Sequence, residues 1–322
     1  MMEFHPKCGD PKARPRMRSP RRRIPEVCMK LKVSAFFQAP LNVFLFRHMS
    51  PGLARRYLHA LGFLYYLVNR HERRVIEHNV REVLSSGDEP RMRRLVRETF
   101  RGIFTHYFEK MFSAYREYGS VRRYIEEHFK VQGAELIREA LAKGKGCILV
   151  TAHFGAVEFI PWLLHLLGFR SSIIIECATA RLARCLEEKV ATHDSELISS
   201  VCGRSIFLRA LESLQSNRVL MTQCDEVDAW RKRRSHTIRL FGRELYFDNT
   251  IDVLSHRSGA PVVAAFLRRS AGRRYTLILE DVSVQRTPES TARDCMELWQ
   301  KYVSRYPAQW YQWKKWSAMK TA

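Results

Sequence analysis

The stretch Ile148-Leu149-Val150-Thr151-Ala152-His153-Phe154-Gly155-Ala156-Val157-Glu158 runs from an unbroken apolar segment into a histidine, a glycine and a glutamate. A short apolar run closed by turn residues is the pattern of a buried strand, and the spacing after Gly155 is helical, so the segment reads as strand, turn and helix. His153 and Glu158 stand five positions apart. On one helix, at about 100° per residue, they would point about 140° away from each other. They pair if His153 lies in the turn, Gly155 adopts a backbone angle closed to other residues, and Glu158 projects back from the first helical turn. This predicts a base with its orienter, a carboxylate holding one imidazole nitrogen so that the other takes a proton.

Outward from this turn, strand and helix patterns alternate from residue 131 onward. Helices are predicted over 133–143, 156–168, about 180–197, 209–216, 249–258 and 290–304. Strands are predicted over 146–151, 172–176, 204–208, 218–222, 261–267 and 274–280, with a hairpin-like pair across Phe241-Gly242. Such alternation is the grammar of an α/β fold, a mostly parallel mixed sheet flanked by helices. The preceding residues are helical. From Ser50-Pro51, a cap followed by a favourable first helical residue, Leu53, Leu58, Leu61 and Tyr65 recur at helical spacing beside Arg55, Arg56, Arg70, Arg73 and Arg74. A second helix from Asp88 carries a wide aromatic stripe, Phe100, Phe104, Phe108 and Phe112. Residues 1–32, with five prolines and Arg21-Arg22-Arg23, cannot bury a core and are expected to be a disordered basic tail. The expected organisation is therefore that tail and one domain over 33–322, helical to residue 130 and α/β beyond it.

Lys and Arg number 55 against 33 Asp and Glu, a formal charge of +22. A surplus of this size points to a polyanionic partner: nucleic acid, anionic lipid or an acidic carrier protein. The 8 cysteines form no CxxC pair and no ligand rhythm, so zinc is not expected and a reducing compartment is. Gly144-Lys145-Gly146 lacks the nucleotide-binding P-loop pattern, and His193-Asp194 has no companion His/Asp pair at metal-binding spacing. No run reaches the roughly 18 to 20 apolar residues of a membrane span. The nearest, over 33–46, is interrupted by Gln38, Pro40 and Asn42, which leaves attachment at a membrane surface open. No G-x-S-x-G elbow or local Cys-His signature is present, so a covalent nucleophile has no support.

The segment from Ile148 to Glu158 resembles the H-x4-E signature of the bacterial lipid A biosynthesis acyltransferases, the late lauroyl and myristoyl transferases of the lysophospholipid acyltransferase superfamily. Four more stretches resemble the same family in order: Glu77-His78-Asn79-Val80, Gln223 to Asp228, Leu240-Phe241-Gly242 followed by Arg257 to Val263, and Tyr306 to Trp316. The resemblance runs from about residue 38 to 317. It implies an O-acyltransferase that needs no cofactor and moves a fatty acyl chain from an acyl thioester to a hydroxyl of an anionic glycolipid such as a lipid A precursor. His153 would be the general base, Glu158 its orienter and Asp225 a further acid. The donor would be acyl carrier protein, the location the cytoplasmic face of the bacterial inner membrane, and the attachment peripheral or monotopic. Two departures stand out: Ala156-Val157 replaces the family's Asn-Trp, and the first acid of its Asp-Gln pair is missing before Gln223. An acyl-CoA donor with another membrane lipid is the nearest alternative. A non-catalytic basic protein binding membrane or nucleic acid is the rival from another class, and no nucleic-acid motif supports it.

Beyond His153, Glu158 and Asp225, the expected substrate-binding set is Gly155, Arg204, Asp228, Arg231, Arg233, Arg234, Phe104 and Phe108. Arg204 follows Gly203 where the family carries an arginine, and Asp228 stands near its second acid. A run such as Arg231-Lys232-Arg233-Arg234 is ordinarily a solvated loop; following the acidic segment, it is expected to grip acceptor phosphate. The phenylalanine stripe is ordinarily core, and Phe104 and Phe108 are the candidates for one wall of an acyl groove. Trp310, Trp313 and Trp316 beside Lys314 and Lys315 fit either core packing or a headgroup-layer belt, the reading leaning to the membrane. The amides that follow Gly155 are expected to hold a developing oxyanion.

Overall fold

The computed structural model describes residues 37, 39–84, 88–176, 180–191, 194–199, 205–226, 236–282, 290–319 and 321. The chain divides into Met1–Lys32 and Val33–Ala322, and the described residues all belong to the second unit. The expected basic tail lies outside them.

Among the described residues five helices precede the sheet: α1 (Pro40–His48), α2 (Pro51–Val68), α3 (Arg70–Leu84), α4 (Glu89–Tyr115) and α5 (Tyr118–His128). Ser50 caps α2 by accepting from the Leu53 amide, with Pro51 in the first turn. One basic helix was expected here, and Asn69 breaks it in two. Its Oδ1 accepts from the Glu72 amide while its Nδ2 donates to the Tyr65 hydroxyl, so the side chain ends one helix and starts the next. Helix α4 is the spine of this half. Gly62 of α2 lies so close to it that a β-carbon there would sit 2.4 Å from the Phe104 ring.

The second half supplies β1 (Phe129–Gln132), α6 (Ala134–Ala142), β2 (Cys147–Thr151), a single 3-10 turn (Val157–Phe159), α7 (Ile160–Leu166), β3 (Ser171–Ile174) and α8 (Ala180–Ala191). It continues with β4 (Ser195–Ile198), α9 (Ile206–Gln215), β5 (Val219–Gln223), the hairpin β6 (Thr237–Leu240) and β7 (Arg243–Tyr246), and α10 (Thr250–Ser258). Strands β8 (Val262–Ser270) and β9 (Arg274–Asp281) and helix α11 (Thr291–Arg305) complete it. The main sheet has seven strands in the order β1-β9-β8-β2-β5-β3-β4, parallel at every pairing except β8 with β9. This is the expected α/β class. Strand β2 is buried along its whole length, as a strand covered by helices on both faces must be.

Two predicted elements fall elsewhere. The helix expected over 156–168 is shortened to Ile160–Leu166, because Pro161 fits only a first turn and Gly168, at φ +81°, ends it. The strand expected over 204–208 is the start of α9, where Ala210, Ser213 and Leu214 are buried at helical spacing. The strand is Ser195–Ile198 instead, inside the range read as helix end. Arg218 holds this edge together, donating to the Ser171 and Asp194 carbonyls at 3.1 and 2.6 Å.

The sheet order creates a switch point. From β2 the chain leaves toward β3, whereas from β5 it leaves toward β8 on the far side of β2. Open α/β sheets bind ligands in the crevice outside the carboxyl ends of such strands.

Candidate active site

Strands β2 and β5 pair in parallel with Thr151 opposite Gln223. Two residues past those strand ends the same register sets His153 beside Asp225. The His153 amide donates to both Asp225 oxygens at 3.0 Å, and Nδ1 lies 3.0 Å from Oδ1. Trp310 Nε1 donates to the second oxygen at 2.8 Å. Asp225 is thus fully buried and held by three donors. Burial alone would raise its pKa, but the His153 charge and these hydrogen bonds pull it below the ordinary carboxylate value. For His153 burial works to lower the pKa, and the Asp225 charge and hydrogen bond outweigh it, leaving the ring above ordinary imidazole. With Nδ1 donating to Asp225, Nε2 carries the lone pair. It faces Glu226 Oε2 at 3.7 Å, and Glu226 in turn meets Lys315 Nζ at 3.4 Å.

The expected pairing of His153 with Glu158 is corrected. Glu158 sits in the 3-10 turn and faces α4, its Oε1 lying 3.5 Å from His106 Nε2 and 3.7 Å from Lys110 Nζ. The turn between them sends it there. At Gly155, φ is +59°, and a β-carbon would lie 1.8 Å from the Leu267 carbonyl oxygen, so no other residue fits. The Tyr311 ring stands between the two imidazoles, stacked on His106 at 3.9 Å and edge-on to His153 at 5.5 Å. Two imidazole–carboxylate pairs therefore flank one tyrosine, and Asp225 rather than Glu158 is the carboxylate that holds His153.

The turn is stapled from outside. Gly155 donates to the Gln309 carbonyl and Ala156 to the Leu267 carbonyl, each at 2.9 Å, while Tyr311 donates to the His153 carbonyl at 3.2 Å. Arg269 Nη2 donates to the Gly155 carbonyl and, with Nε, grips Glu109 at 2.7 and 2.8 Å. Of the amides in this turn, those of Gly155 and Ala156 are thus taken up by carbonyl partners.

The remaining predicted residues separate. Phe104 and Phe108 are core: Phe104 lies under Gly62 and packs on Phe37 and Tyr65, and Phe108 packs on Phe112 beneath the Arg55 guanidinium. Arg204, Asp228, Arg231, Arg233 and Arg234 lie outside the described residues. Trp310, Trp313 and Trp316 are wholly buried, which overturns their reading as a headgroup belt. Their segment closes the site from behind, and Asn79 of the Glu77-His78-Asn79-Val80 stretch ties it down through the Trp313 carbonyl at 2.7 Å. Sequence reasoning missed Glu226, His106, Lys110, Arg269 and Tyr311; only Tyr311 and Glu226 lay in stretches that it had singled out. Among the described residues no group of three or more His, Cys, Asp or Glu is placed to hold a metal ion.

An imidazole held by a buried carboxylate, at the carboxyl ends of the two strands flanking a switch point of an α/β sheet, is an arrangement able to take a proton from a bound ligand. Residues 30–316 match the bacterial lipid A biosynthesis acyltransferase family, and the chain belongs to it. Acyl transfer in lipid A biosynthesis is the activity class that membership carries. Among curated proteins, none matches the chain.

Proposed function

We propose that the protein transfers a fatty acyl chain from an acyl thioester to a hydroxyl of a phosphorylated lipid A precursor, with His153 as general base and Asp225 as its orienter. The observation that carries this is the three-donor anchorage of Asp225, which fixes Nδ1 as the donor and leaves Nε2 basic. Nε2 takes the proton of the acceptor hydroxyl as its oxygen attacks the thioester carbonyl carbon. The tetrahedral intermediate then collapses, the carbon–sulfur bond breaks, and the departing thiolate receives the proton from the imidazolium, giving ester and thiol. Asp225 stabilises the imidazolium between the two transfers. Glu158, paired with His106 and Lys110 across the Tyr311 ring from His153, is assigned to contact with the acceptor.

Acyl carrier protein is the donor that charge favours, since an acidic protein is steered by a surplus of +22. The run Arg231 to Arg234 is assigned the acceptor phosphates on its charge. The reaction is placed at the cytoplasmic face of the inner membrane, where such a lipid acceptor and an acyl carrier protein would meet; among the described residues no helix is long and apolar enough to cross a membrane.

Incubating the purified protein with acyl carrier protein thioester and a lipid A precursor should yield a product heavier by one acyl chain, detected by mass spectrometry. His153→Ala and Asp225→Asn should fold and lose most turnover. Full turnover by His153→Ala would overturn the mechanism, and transfer from acyl-CoA alone would replace the donor.

A further inference from the structure

Helix α2 is apolar on both sides. Its inner side, Ala54, Leu58 and Gly62, is buried against α4. Its outer side carries Leu53, Phe63, Leu64, Leu67 and Val68, between 47% and 81% exposed. Leu64, Leu67 and Val68, and Phe63 with Leu67, stand three or four residues apart, and Leu53 lies three turns earlier on the same stripe. Helix α1 repeats the arrangement, with Asn42, Val43 and Phe46 buried while Leu41 and Phe44 stand 69% and 59% exposed. Among the described residues only two other large apolar side chains are exposed, Tyr118 and Leu208, far apart in the chain. The exposed apolar surface is thus gathered on two consecutive helices instead of being scattered, the condition under which such surface signifies a partner.

The charge around it is one-sided. Residues 37–71 contain no Asp or Glu, and Glu72, the acid that follows between Arg70 and Arg74, is held by Tyr65, Asn69 and Lys314. Arg47 and His48 close α1, Arg56 interrupts the α2 stripe, and Arg70 and Arg74 follow its end, all of them exposed. A second copy of the chain docked face to face would set these cations against their own equivalents. An anionic lipid surface accepts both features at once, acyl-chain ends for the aliphatic and aromatic side chains and phosphates for the arginines.

We propose that the outer faces of α1 and α2 dock the protein on an anionic lipid bilayer. Phe63, Leu64 and Leu67 enter the boundary between headgroups and acyl chains, and Arg47, Arg56, Arg70 and Arg74 lie among the phosphates. The docking helix is one helix away from the site. Gly62 and His59 of α2 meet Phe104 and Thr105 of α4, and His106, Glu109 and Lys110 follow within the next turns. Docking therefore holds the cleft next to the layer in which a lipid acceptor resides. That purpose rests on the acyl-transfer reading; the docking does not.

The test is co-sedimentation of the full chain with vesicles of phosphatidylglycerol and phosphatidylcholine, against phosphatidylcholine alone, with no acyl donor present. The parent should bind the anionic vesicles more tightly, and added salt should weaken that binding. Phe63→Ser with Leu67→Ser should reduce it by about ten-fold or more, while Leu208→Ser and His153→Ala bind as the parent does. If the first pair loses helicity, Leu53→Ser with Val68→Ser, from the ends of the same stripe, carries the same test. Undiminished binding by a folded double variant would overturn the proposal. So would a parent dimer that the double variant abolishes while vesicle binding persists. A parent that binds vesicles yet transfers no acyl chain overturns the reaction and leaves docking in place. A parent that acylates detergent-dispersed acceptor but ignores vesicles overturns docking alone.

Discussion

At His153 the two ring nitrogens have different tasks, and the difference can be measured. In the proposed mechanism the neutral ring is the base, so activity should fall as pH drops through its raised pKa and the acid limb of kcat/KM against pH should lie above the ordinary imidazole value of about 6.5. Asp225→Asn removes the charge that outweighs burial; the limb should move to lower pH and kcat fall by about 10²–10⁴-fold. Glu158→Gln touches the other pair and should leave that limb in place. Stability follows the same shifts. The His153 contribution is present below the unfolded imidazole pKa and lost as pH rises through the folded one; that of Asp225 is present above the unfolded carboxylate pKa and lost as pH falls through the folded one. The melting difference between parent and Asp225→Asn should therefore be largest near about pH 5–6. Gly155→Ala, whose β-carbon would strike the Leu267 carbonyl, should lower stability by more than about 2 kcal/mol in thermal melts. His153, Gly155 and Glu158 were all legible as a turn with chemistry. Their pairing was not, because a carboxylate five residues away is visible in sequence whereas one held alongside by strand register is not.

Among the elements, the clamp between β8 and α4 carries the heaviest consequence. Arg269 neutralises Glu109 where the carboxylate has no water, and the same guanidinium fixes the Gly155 carbonyl. Arg269→Met should cost about 3–5 kcal/mol by stranding a buried charge, and Glu109→Gln less, as read from denaturant midpoints. Most strands of the sheet and the helices between them were legible, since apolar runs and helical spacing are local signals. The order β1-β9-β8-β2-β5-β3-β4 was not, for neighbours in a sheet are chosen by long-range packing. Local signals also misled. Ser205-Ile206-Phe207-Leu208 has the continuous apolarity of a strand, and only the burial of Ala210 and Leu214 one turn later makes it a helix. The tryptophans at 310, 313 and 316 carry the composition of a membrane belt, and their indoles are in the core because Asp225, the Pro307 carbonyl and the aromatic rings around them are there.

For the molecule as a whole, the surplus of +22 makes a kinetic prediction. With acyl carrier protein thioester as donor, kcat/KM should fall steeply between low and physiological salt, and with a small uncharged acyl thioester it should barely move. The sheet also separates chemistry from surroundings in an unusual way. The base and its carboxylate are 72 residues apart in the chain yet adjacent in space, because the register of β2 and β5 joins them. The two strands formed between them, β3 and β4, lie on the side of β5 away from β2. Changes of length in the connections of that interval can reshape the rim while the register of β2 and β5 keeps His153 beside Asp225. Under the proposed acyl-transfer reading, exchanging those connections between members of the family should change acceptor preference without loss of turnover, as read from the masses of the acylated products.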